Sequence, residues 1–126
     1  MNREELEKYI FDTYGVEGET PWLDEPTFKV FRHETNRKWF AIIMTIGKDK
    51  LKLDEDGDID VVNYKCEPYL IPVLRKENGI FPAYHMNKEH WLTASLDGSV
   101  SKENHQFLLD MSYELTGVKP SKKHKN

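Results

Sequence analysis

The stretch "WFAIIMTIG", residues 39–47, is apolar at nearly every position. A strand with one wet face alternates apolar and polar side chains, whereas a strand buried on both faces does not. Residues 39–47 are therefore expected in the centre of a sheet. The preceding "TFKVFRH" is rich in aromatic and β-branched residues, and the polar "ETNRK" separates the two runs. That pattern predicts a β-hairpin.

The flanking segments supply the other elements. Asn2 stands three residues before Glu5, the spacing of a capping box, and Leu6, Tyr9, Ile10 and Tyr14 recur on one helical face. A helix over residues 3–14, stopped by Gly15, follows. "VEGETPWLDEP" carries two prolines and turn residues, which makes it a connecting loop. "KDKLKL" adds a short strand or extends the next loop, and "DEDGD" is a turn. "IDVVNYKC" alternates as a third strand. "YLIPVLRKENG" reads as a short helix interrupted early by Pro72 and ended by Gly79. "HWLTASL" is another strand and "DGS" a turn. Ser101 then caps a helix over 102–116 that is expected to bury Phe107, Leu108, Met111 and Leu115 and to stop at Gly117. The order α–β–β–β–α–β–α indicates an α+β domain, an antiparallel sheet with its helices packed on one face. Residues 1–118 form this single domain, and the tail "KPSKKHKN", 119–126, is expected to be disordered.

Composition narrows the function classes. With 38% hydrophobic and 12% aromatic residues, the chain is too apolar to be intrinsically disordered. No apolar run approaches the ~20 residues that cross a bilayer. "MNREELEKYI" is acidic and amphipathic, unlike a signal peptide, and Cys66 is the lone cysteine. A cytoplasmic location is the expectation. The net charge of −4 disfavours a nucleic-acid partner, but its distribution is uneven. Residues 1–61 hold 9 Lys and Arg against 15 Asp and Glu, a balance of −6, while residues 62–126 hold 9 against 7, a balance of +2. The two halves could present faces of different sign.

Most reaction chemistry lacks its residues. In "DEDGD", counting from Asp54, Gly57 falls at position 4 and Lys65 at position 12, where a calcium loop needs glycine at six and glutamate at twelve. His85 and His90 are five apart, an odd spacing that sends them to opposite faces of a strand. Cys66 has no neighbour to lower its pKa, and Ser95 and Ser112 lack a nucleophile motif. Neither a phosphate-binding loop nor a dinucleotide fingerprint occurs. No catalytic residue, metal ligand or cofactor is expected.

What remains is recognition. "PAYHMNKEHW", residues 82–91, concentrates hydrogen-bonding and aromatic side chains. Lys88 can meet a phosphate, Asn87 a phosphate or base edge, and His90 adds a donor. Tyr84 or Trp91 could stack on a base, although Trp91 also opens an apolar strand and suits the core. "KCEP", "GIFPAYHMNKEHWLTASLDGSV" and "LLDMSYELTG", in that order, resemble the MmcQ/YjbR-like proteins, small bacterial cytoplasmic domains. The most specific positions are Pro82, His85, Asn87, Lys88, His90, Trp91, Asp97, Gly98, Ser112 and Tyr113. The resemblance spans the first helix to about Gly117. It implies an α+β fold similar to secretion chaperones and CyaY-like domains, and DNA binding through a double-wing arrangement of strands and loops. Carried over by position, His85, Asn87, Lys88 and His90 become DNA-contacting candidates, with Lys65 at the end of the third strand. Arg75 and Lys76 join them on charge alone. Double-stranded DNA is thus the expected partner, with a protein or a small ligand as the alternative and no membrane. An enzyme using His85 or His90 as acid or base lacks an evident carboxylate partner.

Overall fold

The computed structural model describes residues 1–118, so the tail expected to be disordered lies outside the described residues. Helix α1 spans Arg3–Tyr14. Its capping box forms as the spacing requires: the Asn2 side chain accepts the Glu5 N–H, and the Glu5 carboxylate accepts the Asn2 N–H, both at 2.9 Å. Gly15 ends the helix at φ 69°. Strands β1 (Lys29–Arg32) and β2 (Trp39–Gly47) form the hairpin, followed by a short 3-10 helix at Lys48–Leu51 and strand β3 (Asp58–Lys65). Helix α2 is only Ile71–Leu74, and Pro72 sits in its first turn, where a missing N–H costs nothing, rather than interrupting it. Strand β4 (Ile80–Pro82), β5 (Trp91–Ser95) and helix α3 (Lys102–Thr116) complete the chain. Gly117 does end α3, but with extended backbone (φ −76°) rather than a left-handed cap.

The five strands form one antiparallel sheet in the order β1-β2-β3-β5-β4. The fold is therefore α+β, with β4 as an edge strand additional to the expected order. Pro82 is tolerated there because an edge strand need not donate on both sides. β3 lies at the centre and β2 beside it. The β1–β2 register shifts between Phe31 and Arg32, which inserts Phe40 as a bulge and frees its carbonyl.

Alternation along the strands sorts the core into two layers. Ile43, Val62, Tyr64, Leu92 and Ala94 face Leu6 and Ile10 of α1 and Leu108 and Leu109 of α3. Each such buried side chain contributes about 1.5–3 kcal/mol, and Leu109→Ala would cost about 2–5 kcal/mol. On the opposite face Val30, Ile42, Met44, Ile46, Ile59 and Val61 are also buried, but by loops instead of helices. Trp22 and Phe28 from the α1–β1 loop, Leu51 and Leu53 from the β2–β3 connection, and Tyr84 and Met86 after β4 cover them. Glu19 pins the first loop through paired backbone bonds to Val30 at 2.9 and 2.8 Å. A face closed by loops leaves clefts between them.

The inward side of α3 departs from the apolar expectation. Phe107 is exposed, and the buried face runs through His105, Leu108, Leu109, Ser112 and Thr116. Each polar member has a partner. His105 Nε2 donates to the Ser95 carbonyl (3.0 Å), which leaves Nδ1 to accept from the Tyr64 hydroxyl (2.9 Å). Ser112 Oγ donates to the freed Phe40 carbonyl (2.6 Å) and accepts the Lys65 N–H (2.8 Å). Thr116 Oγ1 meets His33 Nε2 at 2.8 Å.

Candidate functional site

The loop-covered face is organised around one segment, Tyr84–His85. Asn63 of β3 and Thr93 of β5 are direct cross-strand partners, both fully buried. Thr93 Oγ1 accepts the Tyr84 N–H (2.9 Å) and donates to Asn63 Oδ1. Asn63 Nδ2 donates to the Tyr84 carbonyl (2.8 Å). Both backbone groups of Tyr84 are thus held by the sheet's centre. A loop held this way has little freedom, and each buried polar group in the ring is satisfied. Immediately after the clamp, His85 adopts φ 58°, a left-handed conformation that a non-glycine residue rarely takes. The Tyr84 and His85 rings pack edge to face with centroids 4.0 Å apart.

Two clefts meet at this pair of rings. On one side a groove of about 580 Å³ is lined by Lys50, Lys52, Arg75, His85 and Lys88 above Phe81 and Pro82, and among the described residues no carboxylate lines it. Among the described residues the ion pairs are Lys8–Asp12, Lys29–Glu7, Arg32–Glu19, Arg37–Glu19 and Lys48–Glu55, so none of the four groove cations is neutralised. Lys52, like His85, is left-handed (φ 60°). Among the described residues, two of the three non-glycine residues at positive φ therefore stand in this groove. Such strain, typically ~1–3 kcal/mol, tends to be kept where function needs the side chain aimed.

On the other side lies a cleft of about 350 Å³ walled by Trp22, Phe28, Trp39 and Tyr84, with Asp24 and Glu25 also lining it. The Trp22 ring stands at 87° to Trp39 (5.6 Å between centroids) and at 88° to Phe28 (6.2 Å). The two clefts have opposite electrostatic character, with free cations in one and carboxylates in the other.

The groove brings together Arg75, His85 and Lys88 of the expected contact residues and adds Lys50 and Lys52. The remaining four do not line it. Lys65 closes β3 opposite Trp91, and Lys76 is exposed beyond α2. His90 is exposed, and its carbonyl accepts the Cys66 N–H (2.8 Å). Asn87 works as a turn builder. Its Oδ1 accepts the Glu89 N–H (2.8 Å) and its carbonyl accepts the Trp91 N–H (2.9 Å), which leaves Nδ2 as its remaining donor. Lys50 and Lys52 escape sequence reasoning because acids surround them in "GKDKLKLDEDGD". Their alternation with Leu51 and Leu53 was the available signal. Among the described residues no three His, Cys, Asp or Glu side chains converge on a metal-sized site, and no helix is long and apolar enough to cross a membrane.

The YjbR family model matches residues 11–115. The chain belongs to the YjbR family. It is 36% identical over 116 residues to the uncharacterised protein YyaQ of Bacillus subtilis, covering 92% of this chain and 98% of that one. The uncharacterised YjbR of Escherichia coli K12 is 39% identical over 54 residues, 42% of this chain and 46% of that one. A crystal structure of a Pseudomonas syringae protein superposes with a TM-score of 0.91 at 40% identity, covering 93% of this chain and all (100%) of that one. A Deinococcus radiodurans crystal structure follows at TM-score 0.71 and 25% identity, covering 98% and 85%.

Within the YjbR-like pattern, several motif residues hold the fold and leave His85 and Lys88 to the groove. Asp97 Oδ1 accepts from the Ser99 N–H (3.0 Å) and Ser95 Oγ (2.9 Å) in the β5–α3 turn. Burial works to raise its pKa, but these hydrogen bonds outweigh it and hold the carboxyl below its ordinary value. Ser112 ties α3 to the sheet as described, and Tyr113 stacks on Tyr14 at 3.8 Å. Cys66 is buried, and burial followed by the Glu67 carboxylate pushes its thiol up to about 11, far from a thiolate at neutral pH.

Proposed function

We propose that this YjbR-family protein binds double-stranded DNA through the cationic groove, as a non-enzymatic module that needs no metal or cofactor. One observation carries the reading: Lys50, Lys52, Arg75 and Lys88 line one groove with His85, and among the described residues no carboxylate lines it and none of these cations is ion-paired. Unneutralised cations around a concave surface attract a polyanion by Coulomb steering and by release of its condensed counterions. Lys52 and His85 both hold left-handed backbones in the groove, Lys52 where it ends the 3-10 helix Lys48–Leu51. The groove reads phosphates more than sequence, because lysines act as point charges. Affinity is modest, since a chain of net charge −4 must be overcome by one local patch. The single thiol, Cys66, suits the reducing cytoplasm in which such a protein would meet DNA.

Fluorescence anisotropy with labelled duplex tests this. Four phosphate contacts correspond to a slope of log affinity on log salt of about −3 to −4. Binding that is absent at about 50 mM salt, or indifferent to salt, would remove the DNA reading.

A further inference from the structure

We infer that the aromatic cleft beside the groove takes a single unpaired nucleobase, so that the protein prefers DNA with an extrahelical base to fully paired duplex. This rests on the groove's reading as a phosphate site. It follows from how the two clefts are joined. Tyr84 and His85 line both, so a strand whose phosphates lie along Lys52 and Lys88 passes directly beside the aromatic walls. The cleft, at about 350 Å³, is at the small end of small-molecule sites and suits one planar ring system. Trp22 stands perpendicular to both Trp39 and Phe28, so a base stacked on one ring meets the edge or face of another.

The polar residues of the cleft fix its chemistry further. Asp24 and Glu25 repel phosphate, which keeps the backbone in the groove and leaves the cleft to the base. Carboxylates accept hydrogen bonds and donate none, so they favour a base with an exocyclic amino group, cytosine above all, over thymine. An organic cation is the competing occupant of aromatic walls with carboxylates. Arg32 lies over the Trp39 ring, 5.5 Å from its centroid, but does not line the cleft, so the rings that face the cleft stay open and the tetramethylammonium titration below decides between the two occupants. Finally, the buried Asn63–Thr93 clamp holds Tyr84 rigidly, and a stacking platform is effective when it is ordered before the ligand arrives.

The experiment compares a fully paired DNA hairpin with the same hairpin carrying one bulged cytidine or one bulged thymidine, read by anisotropy and by tryptophan quenching. The bulged-cytidine hairpin is expected to bind about tenfold tighter than the paired one, the equivalent of ~1.4 kcal/mol and within the range for one base on an aromatic ring. Bulged thymidine should gain less. Trp22→Ala should erase the bulge advantage while the salt slope on paired DNA stays, and Glu25→Gln should narrow the preference for cytidine over thymidine. Lys52→Ala should weaken all three hairpins alike. Equal affinity for paired and bulged hairpins overturns the base site and leaves the groove reading intact, whereas no binding to any hairpin removes both. Saturable quenching by tetramethylammonium without a bulge preference assigns the cleft to organic cations and overturns the proposal.

Discussion

Asn63 and Thr93 face each other across β3 and β5, and together they bind both the N–H and the carbonyl of Tyr84. This pair makes the buried centre of the sheet the anchor of the loop between the two clefts. Thr93→Val keeps the shape but leaves the Tyr84 N–H and Asn63 Oδ1 without their buried partner, which should cost about 1–3 kcal/mol. The double variant with Asn63→Leu should cost less than the two single costs added, because both act on one ring of bonds. Urea denaturation of the four proteins checks this, and simple additivity would contradict a closed network.

His85 tests whether backbone strain serves binding. His85→Gly relieves the left-handed conformation at φ 58°. The gain of ~1–2 kcal/mol is partly offset by glycine's larger unfolded-state entropy of ~0.5–1 kcal/mol. The variant should be as stable as the parent or up to about 1 kcal/mol more stable, yet bind DNA less tightly. Loss of stability in denaturation, or unchanged DNA affinity, would show that the strain has another cause.

The pH dependence of stability follows from His105. Burial holds its imidazole down at about 4, against an ordinary value of 6.5. Between those values the unfolded chain takes up a proton that the folded chain refuses, so stability is full above pH 6.5 and falls as the pH drops toward 4. The loss across that window is on the order of 3 kcal/mol. Burial lowers His33 in the same direction. Denaturation midpoints measured through the window should decline with falling pH, and His105→Gln should flatten the decline. A parent midpoint independent of pH there would contradict the neutral, doubly bonded imidazole.

Much of the fold was legible because its signals are local. Asn2 with Glu5, Ser101, and the doubly apolar β2 each act within a few residues, and the helices and hairpin follow from them. β4 was not legible, since Ile80–Pro82 is three residues ending in proline and exists through its pairing with β5. Phe107 was expected inside but is exposed, because α3 buries His105, Ser112 and Thr116 against bonding partners on distant strands. Hydrophobicity cannot register such partners. The site was half legible for the same reason. Lys88 and His85 stand out in their own segment, but Lys50, Lys52 and Arg75 join them only when three separate connections fold to one side of the sheet.

The groove itself is most directly tested by the salt slope of lysine variants on duplex DNA. Lys52→Ala and Lys88→Ala should each reduce the slope by about one unit, and the double variant by about two, one counterion-releasing contact per lysine. Lys65→Ala and Lys76→Ala, which alter cations outside the groove lining, should leave it unchanged. An equal loss of slope at all four positions would mean that DNA meets diffuse surface charge, and an unchanged slope in the Lys52/Lys88 double variant would mean that the groove is not where DNA binds.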